Sequence, residues 1–173
     1  MKGVVVGSMK DYYISKKGEN QWFNLLEHAG IDRHKLILAT TPFDDALVEK
    51  IIDKMADNLQ LKKELLLKEL GEYFVVNSTQ KMYKHFYNEF NNAKDFLLNM
   101  DRLHVQMTSV IKDSRPPRFE FEEKDENTLI IKYKSHRNMI NYLEGGTMGV
   151  GKVYNEILSV KRLNSETIEV KFK

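Results

Sequence analysis

The Pro116-Pro117 pair separates two stretches with different hydrophobic periods, and a chain that changes period in this way must combine helices with a sheet. Upstream the period is helical. Thr41-Pro42 followed by Asp44 and Asp45 reads as a helix start, with a hydroxyl cap, proline in the first turn and acids at the positive dipole end. Ala46, Leu47, Ile51 and Met55 then form a stripe. A second stripe, Leu61, Leu65, Leu66 and Leu70, runs up to Gly71, and Ser78 is placed to cap a third helix carrying Met82, His85, Phe86 and Phe90. The longest predicted helix spans Ala93 to Ile111 and is stopped by the prolines. Downstream, Phe119-Glu-Phe121 and Thr128 to Tyr133 flank Asp125-Glu-Asn127, and Ile157 to Lys161 and Thr167 to Phe172 flank Leu163-Asn-Ser-Glu166, which predicts two hairpins. Between them Asn138 to Tyr154 starts as a helix and is interrupted by Gly145, Gly146, Gly149 and Gly151. The expectation is an α+β fold: an N-terminal helical part, then an antiparallel sheet of about four strands with a helix inserted between the hairpins.

A chain of 173 residues is long enough for one self-sufficient core, and no linker or repeat divides it, so residues 1–173 are read as a single domain. It contains no cysteine, which excludes disulfides and every thiolate-ligated metal or haem. The 27 basic and 25 acidic residues are interleaved, as in Lys62-Lys63-Glu64, which is no nucleic-acid footprint. No apolar run approaches the roughly 18 residues of a membrane span. The expected location is cytoplasmic, without membrane contact. Met1 reads as an authentic N-terminus, whereas nothing marks Lys173 as an authentic end.

Two groups of residues stand out chemically. On the long helix Met100, Leu103, His104, Met107 and Ile111 share one face, so His104 points into apolar surroundings. A histidine there is more often a hydrogen-bonded core residue than a ligand. On the strand read from Leu129 to Arg137, the face of Leu129 and Ile131 continues as Tyr133, Ser135 and Arg137. Burying two hydroxyls and a guanidinium without partners costs several kcal/mol on the order of the transfer penalties, and a pair of carboxylates would satisfy them. Alternatively that face simply emerges into water. Together, an imidazole on an apolar wall and donors at its edge match what haem needs, an axial base and partners for two propionates.

At this point the sequence resembles the haem nitric oxide/oxygen-binding family, related to the sensor half of soluble guanylate cyclase. The resemblance covers essentially the whole chain: Met1-Lys2-Gly3, the segment Phe96 to Thr108 around His104, Pro116-Pro117-Arg118, and Tyr133-x-Ser135-x-Arg137 occur in the family's order. It implies haem b (protohaem IX) held between the helical and sheet-bearing parts, with His104 as the proximal iron ligand. Tyr133, Ser135 and Arg137 would bind the propionates, Pro117 would press on the macrocycle, and Leu103 and Met107 would line the cofactor. Such domains transduce rather than catalyse: nitric oxide binding weakens the iron–histidine bond, and the two parts shift. In bacterial members the partners are a histidine kinase, a diguanylate cyclase or a fused chemotaxis receptor. Tyr142 falls where oxygen-binding members carry a distal tyrosine. Met9 and Phe74 align with the positions that support that tyrosine, and neither can donate a side-chain N–H; Val5 would be another wall residue. The implied selectivity is tight nitric oxide binding, carbon monoxide binding, and weak or absent oxygen binding.

Two other readings compete. Gly146-Thr-Met-Gly-Val-Gly151-Lys152 has the spacing of a phosphate-binding loop, but Val153 stands where magnesium needs a hydroxyl, and the segment follows a helix rather than a strand. The chain could also be a regulatory interaction domain that kept the fold and lost the cofactor. His28, His34, His85 and His136 form no metal spacing, and Tyr12-Tyr13 and Trp22-Phe23 read as core.

Overall fold

The computed structural model describes residues 1–109, 115–156 and 158–173. Its first part is helical: α1 (Gly3–Lys17), α2 (Glu19–His28), α3 (Asp45–Leu59) and α4 (Lys63–Tyr73), then a π-helical turn (Phe74–Thr79) and the short α5 (Gln80–Met82), α6 (Lys84–Tyr87), α7 (Ala93–Leu98) and α8 (Met100–Thr108). The second part is β1 (Arg118–Asp125), β2 (Thr128–Lys134), α9 (Ile140–Val153), β3 (Leu158–Arg162) and β4 (Thr167–Phe172). The four strands form one antiparallel sheet in the order β1-β2-β4-β3. This is the expected α+β architecture.

The apolar residues separate into two cores. One joins α1 to α4 around Met9, Trp22, Ile51, Met55, Leu66 and Leu70; the other packs α7, α8 and α9 on the sheet around Leu97, Leu103, Leu129, Ile131, Ile168 and Val170. Tyr12, Tyr13 and Trp22 are buried, as expected of core residues. The cores are bridged where α4 and α9 cross. There Gly71 and Gly145 let the backbones touch: a Cβ on Gly71 would lie 2.0 Å from the Tyr142 carbonyl oxygen, and one on Gly145 would lie 1.8 Å from that of Lys68. α9 is therefore one continuous helix through its glycines, and neither a turn nor a phosphate loop forms at 146–152.

Several sequence-based boundaries move. Asp44, not Thr41, caps α3, accepting from the Ala46 and Leu47 N–H groups, while Pro42 pairs with Lys2 in an isolated bridge. Buried Val48 and Ile52 join Ile51 and Met55 on its inner face, and Ala46 is exposed. Leu67, not Leu65, is buried on α4, and Gly71 does not end that helix, which runs into the π turn. Ser78 lies inside this turn and caps nothing. The long helix is broken at Asn99 into α7 and α8, and its expected end at Ile111 lies outside the described residues, as does the predicted first strand residue Ile157. β2 stops at Lys134, so Ser135 and Arg137 sit in the following turn and not on the strand.

Candidate functional site

α8 places His104 one turn above Met100, whose carbonyl oxygen accepts from His104 Nδ1 at 2.8 Å. A carbonyl can only accept, so Nδ1 carries the hydrogen and Nε2 is left as the lone-pair nitrogen. Burial disfavours the imidazolium and lowers the pKa below 6.5, outweighing the opposing effects of the Met100 carbonyl and Asp101. His104 itself is half-buried. Leu103 is buried and Met107 half-buried beside it.

Phe119 of β1 flanks the imidazole at 5.3 Å between ring centroids and the Tyr133 ring at 5.9 Å. The half-buried Pro117 precedes this contact. α8 and β1 are tied together here: Arg118 forks onto Asp101 at 2.8 and 2.7 Å, and the Phe119 N–H donates to the same carboxylate at 2.9 Å. Chiefly through Arg118, Asp101 is held below the usual carboxylate range.

Arg137 has found a carboxylate within the chain. Its Nε donates to Asp45 Oδ1 at 2.9 Å and its Nη1 to the Arg115 carbonyl at 3.0 Å. Asp45 also receives the terminal amine of Met1 at 2.6 Å and His136 Nε2 at 3.0 Å. Burial opposes the charge of Asp45, but hydrogen bonds from Arg137, the amine and His136 outweigh it and hold the carboxyl far below the usual range. Sequence reasoning assigned Asp45 only to a helix start; no local signal joined it to a residue 92 positions away. Both hydrogens of Arg137 Nη2 are uncommitted among the described residues, as is the Tyr133 hydroxyl. Ser135 Oγ accepts from the Arg137 N–H at 3.3 Å.

On α9, Tyr142 packs its ring 5.9 Å from Phe74. Its hydroxyl is fully buried and has no hydrogen-bond partner among the described residues, and burial pushes its pKa well above 10.0. Met9 is buried nearby in the same core, which Val5 also joins.

These residues fit a haem. Among the described residues no three of His, Asp and Glu gather as a metal cage. A single neutral imidazole is the donor that an iron already chelated by a macrocycle requires. An orphaned donor at Tyr142 and two spare guanidinium hydrogens are what a bound gas and a propionate would use. A groove of about 420 Å³ between α1, α2 and residues 33–37 is lined by none of the predicted site residues.

A family model for haem-NO-binding domains matches residues 2–162. The chain belongs to the haem-NO-binding family. This is a family of sensor domains, not catalytic ones. Two curated relatives, the soluble guanylate cyclases gcy-34 and gcy-32 of Caenorhabditis elegans, are each 24% identical over 151 residues, covering 86% of this chain and 22% of theirs. The chain thus spans about a fifth of the length of these relatives. Among solved structures, an H-NOX protein from S. oneidensis in its Fe(II) ligation state superposes with a TM-score of 0.94 at 14% identity, covering 100% of this chain and 96% of that one. An oxygen-binding H-NOX domain solved as its oxygen complex gives 0.86 at 23% identity, covering 100% and 95%. These likenesses establish the fold. Among the described residues, no helix is long and apolar enough to cross a membrane.

Proposed function

We propose that residues 1–173 form a single haem-based gas-sensor domain that carries haem b between its two cores, with His104 as the iron ligand. The observation that supports this most is the state of His104: a half-buried, neutral imidazole with Nδ1 anchored by the Met100 carbonyl, so that Nε2 carries the lone pair. Haem, when bound, would supply a ferrous iron able to take up a diatomic gas. The chain's own residues do the rest. His104 Nε2 would supply the lone pair that holds the iron, and the Met100 carbonyl fixes the ring's orientation. Arg137 Nη2, with the hydroxyls of Tyr133 and Ser135, would hold the propionates, Pro117 would press on the macrocycle, and Leu103 and Met107 would line it. Tyr142 would donate to the bound gas from a wall formed by Val5, Met9 and Phe74. Nitric oxide and carbon monoxide bind well without a donor, whereas oxygen binds weakly because Tyr142 lacks N–H support from positions 9 and 74.

The path of the signal follows from the ties just described. Any movement of His104 displaces α8, and the Asp101–Arg118 fork passes that displacement to β1. Two such arrangements biased by a ligand make a switch. Its recipient is a histidine kinase, a diguanylate cyclase or a fused chemotaxis receptor in a bacterial cytoplasm. The test is an absorption spectrum of the purified protein with and without nitric oxide. A ferrous Soret band that shifts on gas addition supports the reading; a chain that takes up no haem refutes it.

A further inference from the structure

The groove between α1, α2 and residues 33–37 lies outside the candidate gas site, and nothing in the preceding reading uses it. Buried Trp22 and Leu26 and half-buried Phe23 and Ile37 give it an apolar lining. Leu36 lines the same groove and is 70% exposed, and Leu38, two residues on, is 54% exposed. They are the two most exposed large apolar side chains among the described residues. Scattered apolar residues on a surface are ordinary, whereas apolar surface gathered at a concavity marks a contact site.

Gly7 keeps the groove open. It lies inside α1, where glycine weakens a helix relative to alanine. Neither its backbone nor its neighbours require it: its φ is not positive, and a Cβ there would meet only Ile37 Cγ2, at an ordinary 3.9 Å. Gly3, Gly71 and Gly145, by contrast, face backbone atoms at 2.0 Å or less. The charges at the rim are unbalanced. Lys10, Arg33 and Lys35 line the groove together with His34, and Asp11 is the one carboxylate among the described lining residues. Arg33 is paired with Glu27 at 3.2 Å, and the Lys35 amine rests over the Phe43 ring at 4.9 Å. Neither Lys10 nor Lys35 has a carboxylate partner among the described residues.

We propose that this groove is a docking site for an acidic amphipathic helix of a partner protein, whose apolar face fills the channel over Gly7 and whose carboxylates meet Lys10 and Lys35. A helix suits the groove because α1 and α2 use their backbone groups in their own hydrogen bonds. The walls therefore offer side chains only, and the occupant must satisfy its own backbone. A concavity of about 420 Å³ accepts such a helix better than it accepts a flat lipid surface. The inference goes beyond the gas-sensor reading and does not depend on it, since none of these residues is assigned to haem. α1 nevertheless joins the two sites: Val5 and Met9 lie on the helix face opposite Gly7, so the partner rests on the back of the helix that contributes to the proposed gas wall.

The test is fluorescence anisotropy of a labelled synthetic helix of about 15 residues, with leucines on one face, glutamates flanking them and alanines elsewhere, titrated with the purified protein. The wild type is expected to bind it, and to bind a counterpart with lysines in place of the glutamates about tenfold more weakly. Lys10→Glu combined with Lys35→Glu should reverse that preference. Gly7→Leu, which fills the channel, should abolish binding without lowering the melting temperature. Leu36→Ser changes a side chain exposed enough to leave folding untouched, and should weaken binding about tenfold, as for the loss of one buried leucine. Equal affinity for the two peptides, or binding that survives both Gly7→Leu and Leu36→Ser, would overturn the inference. So would an acidic helix that does not bind; attachment to phosphatidylserine vesicles in that case would make the patch a membrane-surface site. A protein that shows no Soret band yet binds the acidic helix through these residues refutes the haem reading and leaves this one standing.

Discussion

Replacing Tyr142 by Phe separates what the fold needs from what the gas site needs. The hydroxyl is buried without a partner among the described residues, whereas the ring is packed against Phe74. Removing only the oxygen keeps that packing and abolishes a desolvated donor that costs about 1–3 kcal/mol when unsatisfied. In a domain of this size each kcal/mol moves the melting temperature by about 2–4 °C, so haem-free Tyr142→Phe should melt several degrees higher than the wild type. In the haem-loaded protein the sign reverses for oxygen. There the hydroxyl has a ligand to donate to, and its loss should weaken oxygen binding about fivefold, for one hydrogen bond of about 1 kcal/mol. Nitric oxide affinity should hardly change. The assays are thermal unfolding of the apoprotein and equilibrium gas titration of the ferrous protein. A variant that unfolds earlier, or an oxygen affinity that does not move, would refute the reasoning that this hydroxyl is held in reserve for the ligand.

Arg137→Ala removes the donor assigned to a propionate and should weaken haem binding by about 1.5–3 kcal/mol, on the order of 10- to 150-fold, read as a faster transfer of haem to an acceptor protein. Gly145→Ala forces a Cβ to within 1.8 Å of the Lys68 carbonyl oxygen and should destabilise the domain by about 1–3 kcal/mol or more in denaturant unfolding. Gly146→Ala, whose Cβ would meet Val75 Cγ2 at 3.7 Å, should be tolerated or mildly stabilising. Because the folded pKa of His104 lies below 6.5, unfolding takes up a proton, and apoprotein stability should fall as pH drops below that value. His104→Asn should abolish this part of the pH dependence; an unchanged profile would place the titrating group elsewhere.

The change of period at the prolines made the two-part architecture legible, and both hairpins formed where alternating residues flank polar turns. The helix limits were less legible, for identifiable reasons. Gly145 and Gly149 read as breakers because their benefit, backbone contact with α4, is tertiary and leaves no local trace. Thr41 looked like a cap until Asp44, three residues on, supplied a better-placed oxygen. Ser135 and Arg137 were assigned to a strand that ends at Lys134, yet Arg137 still reaches inward from the turn, to a carboxylate on α3. The candidate site was legible as residue types at helical and strand spacings around His104 and Tyr133. The Asp45 hub was not, because its partners lie tens of residues away and Asp45 alone looks like an ordinary helix-start position.

The central claim is that iron hangs on His104, and the most direct measurement is the iron–histidine stretching band of the ferrous protein by resonance Raman spectroscopy. The wild type should show the band, and it should vanish in His104→Gly together with most of the bound haem. Added imidazole, filling the space left by the side chain, should restore both. A band that persists unchanged in His104→Gly would contradict the account and move the ligand to another histidine, with His85 the first to test.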